Sequence, residues 1–389
     1  MHNLYYLATF VAKSATIMKI YHTISNKEWG GGEQTVLDLS RRQLADGIEV
    51  ELFCVPVSSI VERFLELQVP IYQVPLRGVL DLKSPLMMAK VLRHSDVQVI
   101  HVHNFKEAFT AAYARIIAGR RDIRLVMCRN LTRKAKTTWI YHWLYRQIDC
   151  IVFDSQLAMD TFLSTNPDID RNKLSVIFNG VVLPDHIIPK DVRTEFGIAA
   201  DEVVVMYHGR LDAEKGLDVL VEAAGLLREK RFRLVLVGRG SDAYMAHLTQ
   251  LVAEQQLAKK VVFAGFQNPV LSYVAACDIG VLPSIVPEGC SLAAQEHMSQ
   301  GHPIVATNNG GQREYIRPEQ NGLLVSPGNA RELAAAIGRL IDDKSLRERL
   351  GKQAQTDFDN HLSYENFYKK MRGIYNQVST FKEVSHKGS

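Results

Sequence analysis

The chain has 389 residues, 47% of them apolar and 23% charged, which is long enough for two domains with separate cores. Its formal net charge of +4 is small for this size and argues against a nucleic-acid binder or a polyanion carrier. Five cysteines, odd in number and without paired spacing, are most simply reduced thiols of a cytosolic protein.

Residues 1–17 open on a short apolar stretch with no basic residue before it, a poor signal peptide, and no stretch of the chain reaches membrane-spanning length. The first strand is expected at 19–24, which leaves 1–17 as an upstream extension or a loose membrane-contacting arm. Strands are then expected at 48–55, 97–103, 123–128, 150–154 and 174–178 with helical periodicity between most of them, the pattern of a parallel sheet.

Three features stand out in this half. The turn Gly30, Gly31, Gly32, Glu33 follows the first strand and opens a helix, so its backbone can approach a ligand closely, although its spacing is not that of a dinucleotide fingerprint. His101 and His103 share one face of a strand, with His103 at the carboxyl end; with no cysteine or acidic partner at ligand spacing, no metal is expected on either. Residues 129–146 mix Arg129, Arg133, Lys134, Lys136 and Arg146 with four aromatics. That stretch is either a helix with its basic side in water and its rings in the core, or a surface for a lipid-diphosphate acceptor or an anionic membrane.

After Asn179-Gly180 the pattern weakens through Pro184 and Pro189, then restarts with strands expected at 202–207, 232–237, 260–264, 278–282, 303–306 and 323–325. Between strand and helix, residues 209–216 place Arg210, a rigid fork of donors, near Lys215, a mobile point charge; the pair suits a diphosphate whose charge grows as a bond to it breaks. Gly238 and Phe266 end the next two strands, where they also read as ordinary turn punctuation. The strand at 278–282 runs into a turn with Glu288, Gly289 and Ser291, and a helix follows that carries Glu296. Free amides at that helix start can bond hydroxyl or phosphate oxygens, and the two glutamates can accept from sugar hydroxyls at separate points. The pairs Asp168 with Asp170 and Asp357 with Asp359 do not directly follow an apolar strand and read as turn or helix-end residues. A late amphipathic helix is expected over 363–378.

The segment 283–303, with the strand after it, resembles the donor-sugar signature of the retaining glycosyltransferases of family 4, and residues 209–216 resemble that family's phosphate clamp. The resemblance covers about residues 18–378 and implies the α/β GT-B fold, two Rossmann-like doubly wound domains facing across a cleft. Residues 18–185 would form the acceptor-side domain, 186–362 the nucleotide-sugar domain, and 363–389 a helix crossing back to the first domain plus a tail. It implies that Arg210 and Lys215 stabilise the leaving diphosphate and that Glu288 and the amides after Gly289 hold the sugar. Glu296 would hold the ribose, and His103 would touch the sugar from the other domain. Gly31, Gly32, Gly209, Gly238, Phe266, Cys290, Ser291 and Leu292 complete the implied donor contacts. Glu33, Arg129, Arg133, Lys134 and Lys136 fall on the acceptor or membrane side. Cys290 and Ser291 stand where an aromatic residue and a glycine are usual, and His297 stands where a small residue is usual.

The implied activity is retaining transfer of a hexose-type sugar from a nucleoside diphosphate sugar, UDP favoured over GDP, to a glycan, lipid-linked or small-molecule acceptor. The setting implied is cell-surface polysaccharide or glycolipid synthesis in the cytoplasm or at the inner membrane face. No metal, no further cofactor and no nucleic acid are expected. Two alternatives remain open at this level. An epimerase on the same fold would change the donor sugar without an acceptor, and a silent nucleotide- or glycan-binding protein would bind donor and never turn it over.

Overall fold

The structure, a computed structural model, describes residues 18–380; the 1–17 extension lies outside the described residues. The first sheet is built from β1 (Lys19–Ile24), β2 (Glu49–Cys54), β3 (Ile71–Gln73), β4 (Val99–Val102), β5 (Arg124–Arg129), β6 (Cys150–Phe153) and β7 (Leu174–Val176). All pairings are parallel and the order is β3-β2-β1-β4-β5-β6-β7. The second sheet holds β8 (Val203–His208), β9 (Phe232–Val237), β10 (Val261–Gly265), β11 (Ile279–Leu282), β12 (Ile304–Thr307) and β13 (Gly322–Val325) in the order β10-β9-β8-β11-β12-β13, again parallel throughout. Near-continuous runs of Val, Ile and Leu suit strands covered on both faces, and β4, β6, β8, β11 and β12 are buried at every position. β3 escapes the sequence reading because it has three residues, none of them fully buried.

Strand order reverses between β1 and β4 in the first sheet and between β8 and β11 in the second. In open α/β sheets a ligand binds at that reversal, beyond the carboxyl ends of the strands. Both reversals open on the same cleft, so the loops after β1, β4, β8 and β11 line one cavity of about 770 Å³.

The last of the described helices, Tyr364–Thr380, returns to the first sheet. Phe367, Tyr368, Met371, Ile374, Tyr375 and Val378 pack on Ile20, Val99, Val126 and Val152. The Tyr375 hydroxyl lies 2.9 Å from His101 Nδ1, and His101 Nε2 lies 3.1 Å from Cys128 Sγ, which makes His101 a hydrogen-bonded core residue. Where the chain leaves the first sheet it brushes the start of that helix: a Cβ on Gly180 would stand 2.7 Å from Tyr364 Cα.

Candidate active site

On the second-domain wall, β8 ends in His208 and the chain turns through Gly209 at φ +144°. A Cβ on Gly238, after β9, would fall 1.8 Å from the Gly209 carbonyl oxygen, so its lack of a side chain lets the two loops interlock. The Tyr207 hydroxyl donates to the Arg210 carbonyl at 2.8 Å and fixes the turn. Arg210 extends into the cleft mouth with Nε 2.6 Å from Asp212 Oδ2. Lys215 Nζ stands 2.9 Å from Glu288 Oε1, and the Ser284 hydroxyl donates to the same carboxylate.

The turn after β11 delivers Glu288, Gly289 and Cys290 to the start of the helix Leu292–Ser299. Ser291 Oγ accepts from Ala294 N at 3.4 Å, so its side chain caps the helix, and Cys290, Ser291, Leu292 and Ala293 all line the cavity. Cys290 is partly buried, and Gln295 Nε2 donates both to its sulfur at 2.8 Å and to the Asn179 carbonyl at 2.7 Å. Burial pushes the Cys290 thiol up, which keeps it protonated and unreactive at neutral pH. Glu296 does not line the cavity itself; its carboxylate lies 2.5 Å from His208 Nε2, and His208 lines it while its Nδ1 is buried without a partner.

On the first-domain wall, Gly31 and Gly32 form the first turn of the helix Gly31–Ala45, and a Cβ on Gly31 would sit 3.7 Å from Leu292 Cδ1 across the cleft. Glu33 accepts from Gly30 N at 3.0 Å and from Asn26 Nδ2, so this carboxylate caps its own helix. His103 lines the cavity with Nε2 3.4 Å from His22 Nδ1, and burial, with His22 beside it, holds its pKa well below the usual histidine value. It stands in the cleft as a neutral imidazole. Glu107 accepts from His103 N at 2.7 Å, from Ser25 N at 2.7 Å and from Thr23 Oγ1 at 2.7 Å, tying the ends of β1 and β4 together.

The placements of Arg129 and Phe266 correct the sequence reading, while the stretch 129–146 follows the first of its two readings, rings in the core and cations in water. Arg129 does not face an acceptor or membrane: it is 6% exposed, with its guanidinium 4.9 Å over the Phe105 ring and donating to the Arg133 carbonyl at 2.8 Å. The stretch 129–146 is not one surface, because Tyr141, Trp143 and Tyr145 pack into the first-domain core while Arg133, Lys134, Lys136 and Trp139 stay exposed. Phe266 is also outside the cavity lining, stacked under the Arg239 guanidinium at 4.9 Å. Asp170 caps a short turn through Asn172 N at 3.0 Å, and Asp357 binds Arg317 and Asn321, so neither acidic pair lies at the cleft.

The structure adds Asp154, which the sequence reading passed over although it follows β6 as His103 follows β4. Asp154 is 3% exposed and its Oδ2 accepts from Cys290 N at 3.2 Å, across the domain seam. A Cβ on Gly289 would fall 2.1 Å from that oxygen. Burial pushes the Asp154 carboxyl up to about 6. Glu314 reaches the other way and accepts from Gln156 N and Leu157 N, each at 2.8 Å, at the start of the first-domain helix Gln156–Leu163.

Two family models match: glycosyltransferase family 4 over residues 29–184 and glycosyl transferases group 1 over residues 190–357. The chain belongs to the group 1 glycosyltransferases. An uncharacterised glycosyltransferase of Methanocaldococcus jannaschii is 26% identical over 300 residues, 73% of this chain and 76% of that protein. A D-inositol 3-phosphate glycosyltransferase of Nocardioides is 28% identical, with 84% of this chain and 80% of that protein covered. An Escherichia coli α-1,3-galactosyltransferase is 24% identical over 76% of this chain and 79% of its own length. Among solved structures, a glycosyltransferase from Rickettsia africae superposes with a TM-score of 0.82 at 18% identity, covering 95% of this chain and all of that one. Anabaena HepE in complex with UDP superposes at 0.79 and 22% identity, covering 92% and 100%. This glycosyltransferase thus has the GT-B fold, and a nucleotide-sugar donor and an acceptor go with the family.

Proposed function

We propose that this glycosyltransferase transfers a hexose from a UDP-sugar to a lipid-linked or glycan acceptor with retention of anomeric configuration. The observation that carries the reading is the Lys215–Glu288 pair, 2.9 Å apart beside the start of the helix Leu292–Ser299. A cation for phosphate and an acceptor for sugar hydroxyls stand side by side, with helix amides next to them. The choice of UDP rests on HepE, solved with UDP and with UDP-glucose, and on the E. coli relative, named for UDP-Gal and a diphosphoundecaprenol acceptor.

In this reading the diphosphate lies between Arg210, Lys215 and the helix amides, and Glu288 and the neutral His103 hold the sugar from opposite walls. The bond from the anomeric carbon to the β-phosphate oxygen breaks and its electron pair stays on phosphate, where Lys215 and Arg210 offset the new charge. The acceptor oxygen bonds to the same face and its proton passes to the departing phosphate. A double displacement would need a free carboxylate nucleophile. The first-domain carboxylates Glu33, Glu107 and Asp154 all accept hydrogen bonds that hold backbone in place, which supports the same-face route.

The test is a thermal-shift screen of nucleotide sugars, then proton NMR of the first product formed from the best donor. An α-linked product from an α-linked donor is expected; an inverted anomer would sink the assignment, and a trapped covalent glycosyl adduct would overturn the same-face route alone.

A further inference from the structure

At the amino ends of β11 and β12, three side chains come together that donor chemistry does not use, with the His297 ring 4.9 Å from that of His208. Cys277 precedes β11, His297 lies on the helix Leu292–Ser299, and His302 precedes β12. Cys277 Sγ is 3.5 Å from His297 Nδ1 and 3.4 Å from His302 Nδ1, and the three ligand atoms all lie within 4.8 Å of one another. Zinc binds thiolate sulfur at about 2.3 Å and imidazole nitrogen at about 2.0 Å, which at a tetrahedral angle separates sulfur from nitrogen by roughly 3.5 Å.

The surroundings hold these groups in place. Gly280 of β11 leaves room for the His297 ring, since a Cβ there would stand 2.5 Å from its Cγ. His302 N donates to the His297 carbonyl at 3.1 Å, so one turn carries both imidazoles. The helix Lys344–Asp357 presses on that turn, and a Cβ on its Gly351 would fall 2.0 Å from the Gly301 oxygen. Asp278, next to Cys277, is pinned by Val204 N at 2.7 Å. His302 is partly exposed and opens a path from solvent, whereas Cys277 and His297 are buried.

We propose that Cys277, His297 and His302 form a binding site for one soft or borderline metal ion of the Zn(II) or Cu(I) class. One thiolate and two imidazoles suit those ions, and the exposed His302 side leaves a fourth position for water. Binding releases the Cys277 thiol proton to solvent, and the ion ties the donor-site helix to the start of β11. The cluster of His22, His101 and His103 is a weaker candidate, because Gln43 engages His22 and both Cys128 and Tyr375 engage His101.

The experiment uses the full chain with any affinity tag removed, dialysed against zinc chloride and, separately, cobalt chloride. One equivalent of zinc per chain is expected, with a rise in thermal midpoint. The cobalt form should show a thiolate-to-metal charge-transfer band. Cys277→Ser should abolish the band, and His302→Ala, at a partly exposed position, should weaken zinc binding at least 10-fold while the apo protein stays folded. Absence of saturable zinc binding in the wild type overturns the site. So does a cobalt spectrum without the thiolate band, or binding that survives in the C277S/H302A double variant.

Discussion

At the scale of single residues, Lys215 and Asp154 carry opposite electrostatic assignments. Lys215 already faces a carboxylate, so its charge acts in the reaction only when the diphosphate draws it from Glu288. Lys215→Ala should therefore lower kcat on the order of 100-fold while donor affinity falls much less, since its charge opposes one that grows in the transition state. Arg210→Lys loses the forked donor and should also be damaging; wild-type rates in steady-state assays of both variants would remove the phosphate-clamp role. Asp154 is held against its charge. Its carboxyl is pushed up to about 6 from an ordinary 3.8, so the folded state binds the proton more tightly than the unfolded chain. The penalty for the buried charge is absent below about pH 4, grows as the pH rises, and is complete above about 6. Asp154→Asn keeps an acceptor for Cys290 N and removes the charge, so its stability relative to wild type should rise between pH 4 and pH 7 by on the order of 2–3 kcal/mol. Denaturant unfolding of both proteins across that window gives the answer, and a constant difference would refute the assignment.

At the scale of elements, the domain seam is a contact of backbone with side chain. Gly289→Ala should displace either its own turn or Asp154 and lower kcat/KM on the order of 10-fold. The G289A/D154A double variant should be no worse than Asp154→Ala alone, because the clash is then gone; additive losses in the cycle would show that the seam is not the cause. The loop 130–138 is a second testable element. Asn130, Leu131 and Thr132 line the cleft, and the loop runs on to Trp139, 79% exposed. Changing Arg133, Lys134 and Lys136 to Ser should weaken sedimentation with anionic vesicles, and salt should weaken wild-type binding likewise. Equal binding of both proteins would leave these cations as solvated surface.

Sequence periodicity made twelve of the thirteen strands among the described residues legible, because parallel strands covered on both faces read as mostly apolar runs. That Arg210, Lys215 and Glu288 would line the cleft was legible too, since each stands shortly beyond such a run. Asp154 and Glu314 were not, because each acts on a backbone amide more than a hundred residues away and nothing local marks it. Arg129 misled for a related reason: a cation at a strand end reads as surface until the rings of Phe105 and Phe162 are placed around it.

At the scale of the molecule, the two sheets share one cleft, and the helix Tyr364–Thr380 covers part of one face of the first. A protein ending at Ser363 would bare Ile20, Val99, Val126 and Val152, and should be recovered in aggregates rather than as a monomer by size-exclusion chromatography. Soluble monomer from that truncation would show the helix to be dispensable. The same arrangement sets an order of events at the ribosome. Translation at roughly 5–20 residues per second takes on the order of 10–40 s to cover the roughly 190 residues between Ile177 and Phe367. Throughout that interval the first sheet has emerged with the patch around Val99, Val126 and Val152 bare, so the nascent chain offers a holding chaperone a binding surface that vanishes only as the helix Tyr364–Thr380 leaves the exit tunnel.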